Sequence, residues 1–246
     1  MKVYFHEQFY EVYTSDPAAA PGRMEAVVDA IRDEVDFLTP EPAGAADIAS
    51  VHSKDHMVWV EREGLYDIAA LAAGAAIQTA ESGLEAPAFG LIRPPGHHAS
   101  SGSAWGFCYF SNMAIAVDTL KRRKKIRTAY VLDIDLHYGD GTVNILGDRK
   151  DVHVHNLETQ NRKSYMNEIE KAMADCSADI IGISAGFDNH VQDWGSVLHT
   201  DDYTAIGQMV RAAAEKNQGG CFGILEGGYN HDVLGQNVLA LIRGLE

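Results

Sequence analysis

The sequence is short of cysteine, of long apolar runs and of positive charge, and each shortage closes off a class of protein. Three cysteines, Cys108, Cys176 and Cys221, lie scattered through 246 residues, too few for a disulfide framework and in keeping with a reducing compartment. No apolar stretch approaches the roughly 20 residues that a membrane-spanning helix needs. The N-terminal MKVYFHEQFY has no uninterrupted apolar segment of signal-peptide length. The expectation is a soluble, cytoplasmic protein with no membrane partner. Lys and Arg number 20 against 35 Asp and Glu, a formal charge of -15. That balance argues against duplex nucleic acid as a partner, because phosphate binding is carried largely by Lys and Arg, and it is compatible with a cationic substrate. Internal repeats, low-complexity tracts and long linkers are missing too, so residues 1–246 read as one domain. With 46% apolar and 22% charged residues, that domain is globular rather than disordered or coiled.

What is present is an alternation of short apolar runs with helical patterns. Val3 to Phe5 reads as a first strand, Met24 to Phe37 as a helix, Ile48 to Val51 as a second strand, and Lys54 to Arg62 and Tyr66 to Glu81 as helices. From Ala88 onward the order is strand, loop, helix, repeated through Ala129 to Asp133, Val152 to Leu157, DIIGISAGF and Cys221 to Leu225. Such alternation predicts an α/β fold, a mainly parallel sheet covered by helices on both faces. In open parallel sheets, ligands bind at the carboxyl ends of the strands.

The stretch DIDLHYGDG, Asp133 to Gly141, stands at one such end. Asp135 and His137 are two apart and project from the same side of an extended segment. A carboxylate beside an imidazole starts a zinc site, which needs a third protein ligand and an open position for water. Asp188, at the end of DIIGISAGF, is the best candidate for the third. The alternating aspartates also suggest a calcium loop, but its twelfth position would be Asn144 instead of Glu, and an apolar strand precedes it in place of a helix. Taken alone, these residues could equally be unconnected turn and cap groups.

His97 and His98 follow another strand end, after Pro-Pro-Gly. Asp133 and Asp140 are not needed as ligands, and a carboxylate on the second nitrogen of each imidazole would make two oriented His–Asp pairs. EGGYN, Glu226 to Asn230, closes the last strand. Its two glycines permit a tight or mobile loop that could bring the Tyr229 hydroxyl to a carbonyl oxygen turning into an oxyanion. The basic cluster Lys121 to Lys125 reads as a solvated helix end, where cations suit the helix dipole.

Taken together, RPPGHHAS, GFCYFSNMAIAV, VLDIDLHYGDGT, ISAGFDNH and EGGYN, in this order, resemble the signature blocks of the histone deacetylase and acetylpolyamine amidohydrolase superfamily. VHSKDH, Val51 to His56, is a weaker match. The resemblance implies a three-layer αβα, arginase/deacetylase-like fold with a sheet of about eight strands. It implies Asp135, His137 and Asp188 as zinc ligands, with ferrous iron the alternative metal in cells. It pairs His97 with Asp133 and His98 with Asp140. Tyr229 becomes the carbonyl-polarising group and Phe107 one of two aromatic walls, with Gly106, Gly227 and Gly228 beside the substrate. A structural potassium or sodium ion would sit near Asp133, Asp135, His137, Asn156 and Leu157.

The reaction so implied is hydrolysis of an N-acyl amine, either an acyl-lysine peptide or an acetylated small amine, with His98 as general base and His98 or His97 protonating the leaving amine. A non-catalytic relative would be expected to have lost one of these groups. A two-metal ureohydrolase would need further carboxylates in place of the histidine pair and Tyr229. Two departures stand out. Between Leu157 and Asp179 the family carries a long segment with a Gly-rich loop and the second aromatic wall, and here only ETQNRKSY and a helix intervene. The loop around Asp16 to Arg23 is short as well. A more open site is the expectation, and substrate choice is the property it touches.

Overall fold

The computed structural model describes residues 1–246. Seven strands form a single sheet: β1 (Lys2–Tyr4), β2 (Asp36–Leu38), β3 (Ala88–Gly90), β4 (Ala129–Asp133), β5 (Val152–Asn156), β6 (Ile180–Ala185) and β7 (Gly220–Leu225). Their order is β2-β1-β3-β7-β6-β4-β5, and every pairing is parallel. The sheet is therefore one strand short of the expected eight. β6 and β7, at the centre, are buried at every position, which is why they read in the sequence as unbroken apolar runs.

The nine α-helices divide into two layers. α4 (Tyr66–Gly83) packs on α5 (Asn112–Arg122), with α2 (Ala45–Ile48), α3 (Lys54–Arg62) and α6 (Asp140–Leu146) around them. On the other face α1 (Arg23–Ile31) and α8 (Thr200–Lys216) pack on α9 (His231–Leu245), and α7 (Arg162–Asp175) lies against α8. No helix is long and apolar enough to cross a membrane, and the three cysteines are free and buried.

Two segments differ from the sequence expectation. The helix expected to run from Met24 to Phe37 stops at Ile31, and Asp36–Leu38 pairs with β1 as an edge strand. Edge pairing overrode a helical pattern whose last apolar members, Val35 and Phe37, lie beyond the helix. Ile48 and Val51 are not a strand: Ile48 ends α2 and Val51 follows in a turn. Their three-residue spacing puts both into one apolar cluster with Val60 and Ile77, as one helical face does. Four of the five cations of Lys121 to Lys125 are taken up by acids, Lys121 pairing with Asp151, Arg122 with Asp118 and Asp47, Arg123 with Asp47 and Glu81, and Lys125 with Glu81.

α4 approaches its neighbours closely because it carries so many small residues. A Cβ on Gly74 would run into the backbone of Glu41, Pro42 and Ala43, a segment tied to the same helix by the Ala43 N–H on the Ala70 carbonyl at 2.8 Å. Gly74→Ala is expected to destabilise the fold by about 1–3 kcal/mol through overpacking, despite alanine's better helix propensity. A urea midpoint equal to or above wild type would refute this.

Candidate active site

Five neighbouring strands, β3, β7, β6, β4 and β5, deliver their carboxyl ends to one edge of the sheet. The register fixes the alignment, Asp133 of β4 standing opposite Asn156 of β5 and Ser184 of β6. Beyond Asp133 the chain turns sharply, and its backbone is tied from several sides. The Ile134 carbonyl accepts the Tyr165 hydroxyl from α7 and the Asn189 amide, each at 3.0 Å. Carboxylates knit the turn itself. Asp133 accepts the Asp135 N–H at 3.1 Å, Asp135 those of His137 and Gly227 at 2.9 Å, and Asp188 that of Leu136 at 3.0 Å.

The result brings Asp135, His137 and Asp188 together, with one ligand atom from each lying within 4.8 Å of the others. Nδ1 of His137 is 3.1 Å from Oδ1 of Asp135 and 3.1 Å from Oδ2 of Asp188. That Oδ2 is buried and has no partner in hydrogen-bond geometry, an expensive state for a carboxylate oxygen unless a cation belongs there. The titration behaviour agrees. Burial and the charge of Asp135 push Asp188 up to about 7. The hydrogen bond to Asp135 and the close carboxylate of Asp188 push His137 up to about 10. Burial opposes ionisation of Asp135, but the charge of His97 and the hydrogen bonds from His137 hold its carboxyl well below the usual range. Protons thus occupy a cluster whose donor set fits a zinc ion.

The two histidines of the β3 loop sit beside it, their rings 4.0 Å apart. Nδ1 of His97 meets Oδ2 of Asp133 at 3.1 Å, and Nδ1 of His98 meets Oδ1 of Asp140 at 2.7 Å. The environments split the pair. His97 is fully enclosed, which disfavours its charge, yet the charges of Asp135 and Asp133 and the bond to Asp133 raise it well above its ordinary value. His98 is pushed down to about 4, by burial and then by the neighbouring His97. At neutral pH one imidazole is charged and the other is a free base.

The loop that carries them is buttressed by VHSKDH. His52 accepts the Ser111 N–H at 2.9 Å and lies 3.0 Å from the Ser100 carbonyl, and His56 lies 2.7 Å from that of Tyr109. Gly106 and Phe107 both take positive φ, 58° and 68°. Such a conformation is rare for phenylalanine, and it puts the Phe107 ring into the site.

Around the site is a cavity of about 120 Å³ lined by Pro95, His97, His98, Trp105, Phe107, His137, Trp194 and Tyr229, with Gly106 and Gly227. Flat rings follow one another round it. Trp105 lies on His98 at 3.8 Å, His98 is 6.0 Å from His137, and His137 is 6.0 Å from Trp194. Trp194 stacks on Tyr229 at 4.1 Å, and Tyr229 meets Phe107 edge-on at 6.0 Å. With the loops short, these rings border a small slot. It is smaller than the roughly 300–1,000 Å³ of ordinary ligand pockets. A larger cavity of about 530 Å³ lies between β5 and α7, away from these groups.

Asn156 and Leu157, expected near a monovalent cation, adjoin Asp133. The Asn156 side chain accepts the Gly139 N–H at 2.7 Å, and the Leu157 N–H reaches the Asp133 carbonyl at 3.4 Å. Gly227 is required by close approach, since a Cβ there would strike the carboxylates of Asp135 and Asp188. Sequence reasoning missed several contributors. Trp105 donates its indole N–H to both oxygens of Asp140, at 3.1 and 2.9 Å. Glu226 accepts the N–H groups of Gly96 and His97 at 2.7 and 3.2 Å. Arg23, fully buried, donates to the carbonyls of Gly228 and Glu226 at 2.8 and 2.7 Å. Their partners lie far away in the chain, so no local spacing announces them.

Comparison with known proteins bears on the whole arrangement. A probable deacetylase of Methanothermobacter thermautotrophicus is 27% identical, covering 99% of this chain and 90% of its own. That alignment runs over 303 positions against 246 residues here, so the relative carries segments this chain lacks. A probable deacetylase of Archaeoglobus fulgidus is 30% identical, covering 93% of this chain and 81% of its own. Among solved structures, an acetylpolyamine aminohydrolase from Burkholderia pseudomallei superposes with a TM-score of 0.84 at 22% identity, covering 99% of this chain and 98% of that one. The model of the histone deacetylase domain matches residues 18–165 and 156–245, and its two pieces meet just after β5, where the expected segment is missing. Matched over nearly its whole length by that domain, the chain belongs to the histone deacetylase and acetylpolyamine amidohydrolase superfamily.

Proposed function

We propose that this protein is a zinc-dependent amidohydrolase that removes an acetyl or other short acyl group from an amine, with residues 1–246 acting as one catalytic domain in the cytoplasm. The observation that carries the reading is the unpartnered Oδ2 of Asp188, buried against His137 and Asp135, beside a slot shared by two His–Asp pairs and Tyr229. Asp135, His137 and Asp188 would hold zinc, or ferrous iron, which accepts similar donors. Once bound, the metal would polarise the acyl carbonyl and lower the pKa of water in the site.

The chain's own groups then divide the work. His98, neutral at physiological pH, takes the proton from the attacking water, and Asp140 holds its ring by accepting from Nδ1. His97, kept charged by Asp135 and Asp133, stabilises negative charge beside it, and either histidine can return a proton to the leaving amine. The Tyr229 hydroxyl donates to the carbonyl oxygen as charge grows on it. Phe107 lines the alkyl part of the substrate, with Gly106, Gly227 and Gly228 leaving room beside it. Oxygens of Asp133, Asp135, His137, Asn156 and Leu157 would hold a potassium or sodium ion behind the metal. The substrate is an acyl-lysine peptide or an acetylated small amine, and the protein's net charge of -15 suits the amine product's cationic class.

A fluorogenic acetyl-lysine peptide and a panel of N-acetylated diamines, each assayed with and without a chelator, test the reading. Turnover that the chelator abolishes and added zinc restores is the expected result. Absence of chelator-sensitive turnover on every acyl amide would sink it.

A further inference from the structure

The loop that carries Tyr229 has weak means of holding itself still. Gly227 and Gly228 precede the tyrosine, and Gly228 takes a φ of 113°, a backbone freedom that costs entropy to freeze. Arg23 holds the loop from behind, by the Gly228 carbonyl. What holds it in front comes from the segment after β6. Oδ2 of Asp193 accepts the backbone N–H groups of both Tyr229 and Asn230, each at 2.8 Å. The Asn230 side chain donates back to the Gln192 carbonyl at 2.6 Å. The next residue, Trp194, lays its indole on the Tyr229 ring, 4.1 Å between centroids and 24° between planes.

The clamping segment is itself held by backbone hydrogen bonds. The Asp193 N–H reaches the His190 carbonyl at 2.9 Å, that of Val191 the Leu198 carbonyl at 2.7 Å, and that of Gly195 the Asp188 carbonyl at 2.7 Å. The last bond ties it to the backbone of a proposed metal ligand. Trp194 also meets the His137 ring edge-on at 6.0 Å and lines the slot, yet 52% of it stays exposed.

We infer that Asp193 and Trp194 are positioning residues that lock the Tyr229 hydroxyl over the reacting carbonyl, and that the Trp194 face forms the wall of the substrate slot that the short segment after Leu157 leaves unbuilt. This rests on the proposed role of Tyr229 as carbonyl donor. Asp193 acts on the backbone and Trp194 on the ring. A hydroxyl displaced by an ångström loses much of its value to a transition state, so a flexible Gly-Gly hinge needs both holds.

The test combines amide hydrogen exchange with steady-state kinetics on zinc-loaded protein. In Asp193→Ala, the amides of Tyr229 and Asn230 should exchange about tenfold faster or more, with zinc content unchanged and kcat down by about 10- to 100-fold. Trp194→Ala should lower kcat and raise KM together, and Trp194→Phe, which keeps a flat ring on Tyr229, should recover most of both. Because the two residues act through the tyrosine, adding Asp193→Ala to Tyr229→Phe should cost little beyond Tyr229→Phe alone. Unchanged exchange at 229 and 230, or fully additive losses in the double variant, would overturn the inference. Should wild type lack chelator-sensitive turnover, the proposed reaction falls, and the exchange comparison still decides whether the clamp exists.

Discussion

Asp188→Ala is expected to strip the metal from the protein and reduce kcat/KM by at least about 10³-fold, since even outer-shell partners of metal ligands are worth 10–100-fold. The prediction is large because Asp188 has no other occupation for its inner oxygen. Oδ1 is engaged by the Leu136 N–H at 3.0 Å, and Oδ2 is buried without a partner. Asp188→Asn is the informative companion. Its carbonyl still accepts from Leu136, so the turn after β4 keeps its shape, while the charge that zinc needs is gone. Metal analysis and circular dichroism on both variants check the point. Full zinc stoichiometry in either folded variant would remove Asp188 from the ligand set.

The proton inventory of the same cluster sets the pH behaviour of loading. In the metal-free protein His137, pushed up to about 10 by its bond to Asp135 and the close carboxylate of Asp188, is the charged imidazolium at neutral pH. Asp188, pushed up to about 7 by burial and Asp135, carries one in part of the molecules. Both must leave when a metal arrives, because it binds the deprotonated forms. Zinc affinity should therefore rise as pH rises from about 6 to 9, with between one and two protons released per binding event near neutral pH. Calorimetry in buffers of different ionisation enthalpy measures that release directly.

How much of this could be read from the chain depends on how far apart the partners are. The cluster of Asp135, His137 and Asp188 proposed to hold a metal was legible because Asp135 and His137 share a face two residues apart, and because a parallel sheet forces the ends of β4 and β6 to one edge. His97 and Tyr229 reached the site by the same rule, each following a strand that ends there. Asp193 and Trp194 escaped notice because their partner, Tyr229, lies more than 30 residues later in the sequence, and a tryptophan in a polar loop carries no periodic signal. The lining of the slot was hidden for the same reason: shortening is visible in a sequence, but the side chains that border the gap are not. At the level of elements, the helix expected to reach Phe37 was lost to strand pairing with β1, a tertiary contact that overrides a helical pattern.

Tyr229→Phe is expected to lower kcat by about 10²- to 10³-fold, the usual loss on removing one donor to a developing oxyanion, with KM unchanged. The phenylalanine keeps the ring that stacks on Trp194 and meets Phe107, so the slot and the bound ground state are preserved. What disappears is one O–H, and its bond matters most where negative charge is greatest, in the transition state. The pH dependence sharpens the test. Burial and the charge of Asp135 push the Tyr229 phenol well above its ordinary value, so it remains a donor throughout the neutral range. The ratio of wild-type to variant kcat should then stay flat from about pH 6 to 9, a window below the ordinary tyrosine pKa of about 10. A ratio that shrinks toward one as pH rises would mean that the phenol ionises in that window. A loss carried by KM alone would mean that Tyr229 binds substrate without polarising it.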